Sequence, residues 1–389
     1  MKNALHRISL ALLLLAVPAA LICAQPVGQD KAAPEIDAAL KPFVENHALA
    51  GAVTLVADKD KVLAINAVGY LDVSAKVKMV VDAIFWIASM SKPITAAGLM
   101  MLVDEGKVNL DDPIEKYLPE FKDVMVMEKD KTLRKPASKI TVRQLLTHTS
   151  GMPFSTAKER PTLDVLTLAE ATKSYAETPL QSDPGTRVSY SNAGINTAGR
   201  IIEVVSGMPY EDFMDKRLFI PLGMKDTTFW PNETQLKRLA KAYRPTKDKT
   251  DLEEIQINQL KYPLNDRKRQ PMPAGGLFST AKDVGLFCQM LLNNGEFQGK
   301  RYLSESAVKQ MQIRQTGDKV KESRGLGFEL RGDTAYGHGG ALSTNMHIDT
   351  KQGMVTVWLV QHAGFPGNGG QSQGAFNKAA VDVFKNSRK

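Results

Sequence analysis

Apolar positions along this chain alternate between helical and extended spacing. Pro34 to Asn46 carries Ile36, Leu40, Phe43 and Val44 at helical spacing, so one face of a helix is apolar. Ala52 to Ala57 and Val62 to Val68 are rich in β-branched and apolar residues, and Asp58-Lys59-Asp60-Lys61 between them predicts a hairpin. A third extended piece, Ala83 to Ala88, runs into a helical segment that starts at Ser91. That helix is expected to end near Glu105-Gly106, where glycine suits the left-handed cap.

After Leu110-Asp111-Asp112-Pro113 the pattern becomes helical and loop-rich. Thr141 to Thr147, Thr162 to Ala176, Ala193 to Ser206 and Tyr210 to Leu218 predict helices with prolines between them. Asn232 to Arg269 is polar and irregular, and is expected to form a mobile cover. A helix over Thr280 to Leu292 follows, then strands over Gly325 to Arg331, Ala341 to Ile348 and Val355 to Gln361. Asp349 to Gly353 supplies the hairpin turn between the last two, and Gln373 to Asn386 closes the chain with an amphipathic helix. Strands thus cluster at both ends and helices in the middle. The economical arrangement is an α/β (α+β) fold, in which one antiparallel β-sheet is built from both termini and flanked by helices. Residues 25–112 plus 275–389 would form that sheet domain, with 113–274 inserted as a mainly helical domain.

Composition changes this picture little, because 389 residues with 43% hydrophobic and 24% charged are ordinary globular proportions. Residues 1–24 read as a secretory signal, with Lys2 and Arg7 before an apolar run from Ile8 to Ile22 and small residues near Ala24. A secreted or periplasmic location is therefore expected. A lipoprotein anchored through Cys23 ranks lower, since bulky Ile22 stands where a small residue is required. Cys288 would then stand alone, as a small buried hydrophobe. No His/Cys cluster has metal-ligand spacing, so neither a metal nor a cofactor is implied. The net charge of +8 falls to +6 without Lys2 and Arg7, 48 basic residues against 42 acidic. Its excess is dispersed, which is compatible with weak attraction to an anionic cell envelope and gives no nucleic-acid motif.

The candidate chemistry starts at Ser89. Phe85-Trp86-Ile87-Ala88 leads into it, Pro93 fits the first turn of the following helix, and Lys92 lies about one turn on. A serine hydroxyl needs a neighbouring base before it attacks carbon, and Lys92 is placed to be one. Ser-x-x-Lys also occurs at Ser155, Ser279 and Ser306, where a loop, a helix cap and a short polar helix explain it. Two further segments fit a cleft. Tyr190-Ser191-Asn192 opens a helix, and in extended backbone Tyr190 and Asn192 point the same way. Gly337-His338-Gly339-Gly340-Ala341, read as the entry to a strand, has glycines that permit close approach and a backbone N–H suited to an oxyanion.

Taken together in this order, Ser89-x-x-Lys92, Tyr190-x-Asn192 and His338-Gly339-Gly340 resemble the serine β-lactamase and penicillin-binding-protein superfamily. The chain is most similar to the class C β-lactamase-related branch that includes family VIII carboxylesterases and D-stereospecific peptidases. Leu145-Leu146-Thr147-His148-Thr149-Ser150-Gly151 and Ala274-Gly275-Gly276-Leu277 add to the match, which runs from about residue 35 to 385. The resemblance implies a β-lactamase/transpeptidase-like fold. It also implies that Ser89 is acylated, that Lys92 and Tyr190 share the general-base role, and that Asn192 orients Lys92 or the substrate. The N–H groups of Ser89 and Ala341 would form the oxyanion hole, with His338 and Gly340 against the substrate.

One departure bears on substrate. The family usually has Lys-Thr-Gly or Lys-Ser-Gly where this chain has His338-Gly339-Gly340, and no Lys-[Ser/Thr]-Gly occurs here. A histidine there would be only partly charged near neutral pH. The expected activity is hydrolysis of small esters, or of amides and D-amino-acid peptides, ahead of a β-lactamase or DD-peptidase and of a non-catalytic module binding cell-wall peptide. Gly370-Gln371-Ser372-Gln373-Gly374 matches a different nucleophile elbow, but no histidine follows Ser372, as that arrangement requires.

Overall fold

A computed structural model describes residues 31–388. The signal expected over residues 1–24 lies outside the described residues. Seven strands form the main sheet: β1 Gly51–Ala57, β2 Val62–Asp72, β3 Val77–Lys78, β4 Glu329–Leu330, β5 Ala335–Gly339, β6 Asn345–Asp349 and β7 Met354–Leu359. Their order is β4-β5-β6-β7-β1-β2-β3, and every neighbouring pair is antiparallel. The two chain ends meet at the centre of this sheet, where Val53 faces Leu359 and Leu55 faces Val357.

β1 is buried along its whole length because both faces are covered, and its alternation divides the residues between two apolar clusters. Ala52 and Val56 pack with Trp358, with Ile36 and Leu40 of helix α1 (Pro34–Glu45), and with Phe376 and Phe384 of the closing helix Ser372–Asn386. Val53, Leu55 and Ala57 face the other way into the larger cluster. That cluster continues without a break into the helical middle of the chain. It includes helix α2 (Ser91–Asp104), α3 (Val142–Leu146), α4 (Leu168–Ala176), α5 (Asn192–Ser206) and α6 (Ala281–Leu292). Each Leu or Ile so buried contributes about 1.5–3 kcal/mol relative to exposure. Among the described residues no helix is long and apolar enough to cross a membrane.

Several sequence boundaries shift for physical reasons. α4 starts at Leu168 rather than near Thr162, because Thr167 and Glu170 form a capping box there. The strand expected over Ala341 to Ile348 starts only at Asn345. The Gly340 N–H donates to the Thr344 carbonyl at 2.8 Å, and Ser343 takes a left-handed φ of 66°, so residues 340–344 make a turn. His338 and Gly339 accordingly end β5 instead of leading into a strand. β5 escaped notice because its buried positions are Ala, Tyr, Gly and His, with no β-branched residue among them. Of Gly325 to Arg331 only Glu329 and Leu330 pair, since Gly327 turns the chain with φ 75°.

The segment 232–269 is not a loose cover. It contains a hairpin, Ala242–Pro245 with Leu252–Ile255, and its far end is clasped by a buried ion pair. Arg269 Nε donates to Asp164 Oδ2 at 2.7 Å, with side-chain exposures of 2% and 0%. The Lys261 N–H donates to the same carboxylate, and Arg269 donates to the carbonyls of Phe229 and Leu264.

Candidate functional site

From Ala83 to Leu102 every residue is buried except Ser89. A short strand, Phe85–Trp86, pairs with Phe278–Ser279 and delivers the chain to a single 3₁₀ turn, Ala88–Met90, which α2 follows at once. Pro93 sits in the first turn of α2, where its missing N–H costs nothing. The turn is fixed from outside. Trp86 Nε1 donates to the Gly275 carbonyl at 2.7 Å, Ile87 N–H to the Leu277 carbonyl at 3.0 Å, and Thr344 Oγ1 to the Ile87 carbonyl at 3.3 Å. Ala88 adopts φ 45°, a left-handed conformation that costs a non-glycine residue about 1–2 kcal/mol and that these contacts sustain.

Lys92 is wholly buried, and its amine meets three groups: Ser89 Oγ at 3.1 Å, Asn192 Oδ1 at 2.8 Å and the Ala274 carbonyl at 2.7 Å. Burial holds this amine well below the ordinary lysine value. Among the described residues no carboxylate is paired with it to offset that burial.

Tyr190 and Asn192 arrive from the start of α5. Ser191 is its N-cap: the backbone there is extended and the hydroxyl accepts the Gly194 N–H at 2.9 Å, so its two neighbours both face the cleft. The Tyr190 phenol and the Ser89 side chain line the same cavity as neighbours, and Lys92 Nζ lies 4.6 Å from the centre of the Tyr190 ring. Burial pushes the phenol up to about 12, against a smaller downward pull from the neighbouring Ser89 side chain. At neutral pH Tyr190 is therefore a protonated phenol.

His338 ends β5 beside these groups, its ring 6.1 Å from that of Tyr190. Its Nδ1 lies 2.7 Å from the Gly339 carbonyl, which can only accept, so Nδ1 carries the proton. Nε2 is buried and has no hydrogen-bond partner among the described residues. Burial holds the imidazole below its ordinary value, at about 4, so it is neutral rather than partly charged near pH 7. Gly340 is required by close approach: a Cβ there would stand 2.1 Å from Thr344 Oγ1 and 2.5 Å from the Ile87 carbonyl oxygen.

Ser89, Tyr190, Asn192, His338, Gly340 and Ala341 all line one cavity of about 370 Å³, with Lys92 behind its wall. The structure thus brings together every site residue expected from the sequence. The same cavity is bounded by residues that the sequence did not single out, among them Phe154, Gln259, Met272, Glu329 and Asn345. Phe154 follows the Ser150-Gly151 block closely enough to have been suspected. Gln259, inside the polar 232–269 stretch, carried no signal.

The other serines fall away. Ser279 lies in the short strand beside Phe85, and Ser306 lies within the helix Glu305–Gln312. Ser372, centre of the Gly-x-Ser-x-Gly match, is 1% exposed and donates to the Gly369 carbonyl at 2.6 Å as the closing helix begins. That serine has no path to a substrate.

The chain is similar in sequence and in fold to known proteins. The family model described as Beta-lactamase matches residues 36–374. Protein Rv1367c of Mycobacterium tuberculosis is 33% identical over 373 residues, covering 84% of this chain and 89% of that protein. Among solved structures, EstCE1, described as a hydrolase with promiscuous acyltransferase activity, is similar with a TM-score of 0.75. Its identity is 23%, over 89% of this chain and 97% of that one. The D-amino acid amidase of Ochrobactrum anthropi, solved with L-phenylalanine amide, is similar with a TM-score of 0.70 and 25% identity, over 92% and 99% of the two chains. The chain belongs to the beta-lactamase family of serine hydrolases.

Proposed function

We propose that this protein hydrolyses small esters, or amides and D-amino-acid peptides, through an acyl-Ser89 intermediate. The observation that carries the reading is the surroundings of the Lys92 amine. A neutral amine has two N–H bonds and one lone pair. Asn192 Oδ1 and the Ala274 carbonyl are both acceptors and take the two N–H bonds, which leaves the lone pair for the Ser89 hydroxyl. Lys92 is then the base that removes the Ser89 proton as Oγ attacks the carbonyl carbon. The N–H groups of Ser89 and Ala341 receive the developing oxyanion. As the tetrahedral intermediate collapses, the protonated Lys92 returns its proton, through the Tyr190 phenol, to the departing oxygen or nitrogen. A water molecule repeats the sequence to release the acid and restore Ser89.

The neutral His338 supports esters and amides over β-lactams, because the permanent charge that would hold a β-lactam carboxylate is missing at that position. Steady-state rates with p-nitrophenyl butyrate, a D-alanine amide and nitrocefin test this. Ester or amide turnover should exceed nitrocefin turnover, and the reverse order would reject the substrate assignment. Gly340→Ala would push the turn carrying Ala341 away from Ile87. It is expected to lower kcat on the preferred substrate about 100-fold, the scale of a lost oxyanion donor. An unchanged kcat would remove Ala341 from the oxyanion site.

A further inference from the structure

The block Leu145 to Gly151 runs directly behind Tyr190, and the mechanism above leaves it without a task. Its His148 touches the chain on both sides of that phenol. The His148 carbonyl accepts the Ser189 N–H at 2.8 Å, and its Nδ1 accepts the Ser191 N–H at 3.2 Å. The imidazole also lies against the phenol ring, with centres 4.6 Å apart. This clamp depends on an unusual backbone, since His148 has φ 59°, which turns carbonyl and ring toward the same neighbour. The side chain is 2% exposed and does not line the cavity, so it reaches substrate only through Tyr190.

We infer that His148 is a positioning residue that fixes the Tyr190 hydroxyl against Ser89 by gripping the backbone on either side of it. An Nδ1 that accepts a hydrogen bond must be unprotonated. Burial lowers the proton affinity of this ring and keeps it neutral. The inference rests on the acyl-Ser89 reading for its consequences in rate, but not for its geometry.

Two substitutions separate positioning from a plain backbone requirement. His148→Gly accepts the left-handed φ but has no acceptor. His148→Asn also tolerates that φ and places Oδ1 near the position of Nδ1. For ester turnover, His148→Gly is expected to lose about 100-fold in kcat with KM within about twofold, the scale of a misplaced catalytic group. His148→Asn is expected to recover kcat to within about tenfold of wild type. Crystal structures of both variants should show the Tyr190 hydroxyl displaced from Ser89 in the glycine variant and retained in the asparagine one. A glycine variant with wild-type kcat, or an asparagine variant as slow as glycine, would overturn the proposal. So would an undisplaced Tyr190 in the glycine structure, and that readout holds even if the wild type proves inactive on esters.

Discussion

Lys92→Met should abolish practical turnover, lowering kcat by about 10³–10⁴-fold, near the top of what a positioned acid–base group supplies. Methionine keeps the length and apolar stem of lysine, so the surrounding helix α2 has no reason to repack. What disappears is the amine that meets Ser89, Asn192 and Ala274. The pH dependence of wild type should mirror this. Activity rises as the Lys92 ammonium deprotonates, and because burial has moved that event well below 10.5, the rise belongs on the acidic side of the ordinary lysine range. Stability has the same sign. Between the folded value and about 10.5 the unfolded chain holds one more proton than the folded one, so wild-type stability gains with pH through that window. Urea melts of wild type and Lys92→Met across pH check this. The gain should be present in the first and missing from the second, and parallel curves would refute the buried neutral amine.

The second large effect concerns the fold rather than the chemistry. Asp164→Ala leaves Arg269 buried and charged without its partner, and also removes the acceptor of the Lys261 N–H. Breaking a buried pair from one side costs about 3–5 kcal/mol, which for a chain of this size lowers the melting temperature by about 5 °C. The double substitution Asp164→Leu with Arg269→Met should recover much of that loss, because no unpaired charge remains. The Leu163 N–H donates to the Gln259 carbonyl, so loosening this clasp also loosens a wall of the cavity that holds Ser89. Calorimetry on the single and double variants is the check, and equal melting temperatures for Asp164→Ala and wild type would dismiss the clasp.

These two residues also mark what the sequence could and could not convey. Ser89, Lys92, Tyr190 and Asn192 were legible because local rules place them. Proline fixes the start of α2, a one-turn spacing brings Lys92 to Ser89, and an extended residue before α5 aims Tyr190 and Asn192 together. The central strands β1 and β7 were legible because continuous apolar runs of that length are buried on both faces. Asp164 and Arg269 were not, since the pair spans 105 positions and neither residue has a local pattern. Nor was the charge of His338 legible. A histidine in isolation titrates near neutrality, and only its burial makes it neutral. The strand β5 was lost for a similar reason, as partners β4 and β6 define it while its own residues do not favour extension.

The account stands on the reactivity of a single hydroxyl. Incubation with a fluorophosphonate, followed by proteolysis and mass mapping of the adduct, reads that reactivity directly. The adduct is expected on the peptide that carries Ser89, to form far more slowly in Lys92→Met, and to be missing from Ser89→Ala. An adduct on Ser372 or another serine, or labelling that survives in Ser89→Ala, would contradict it.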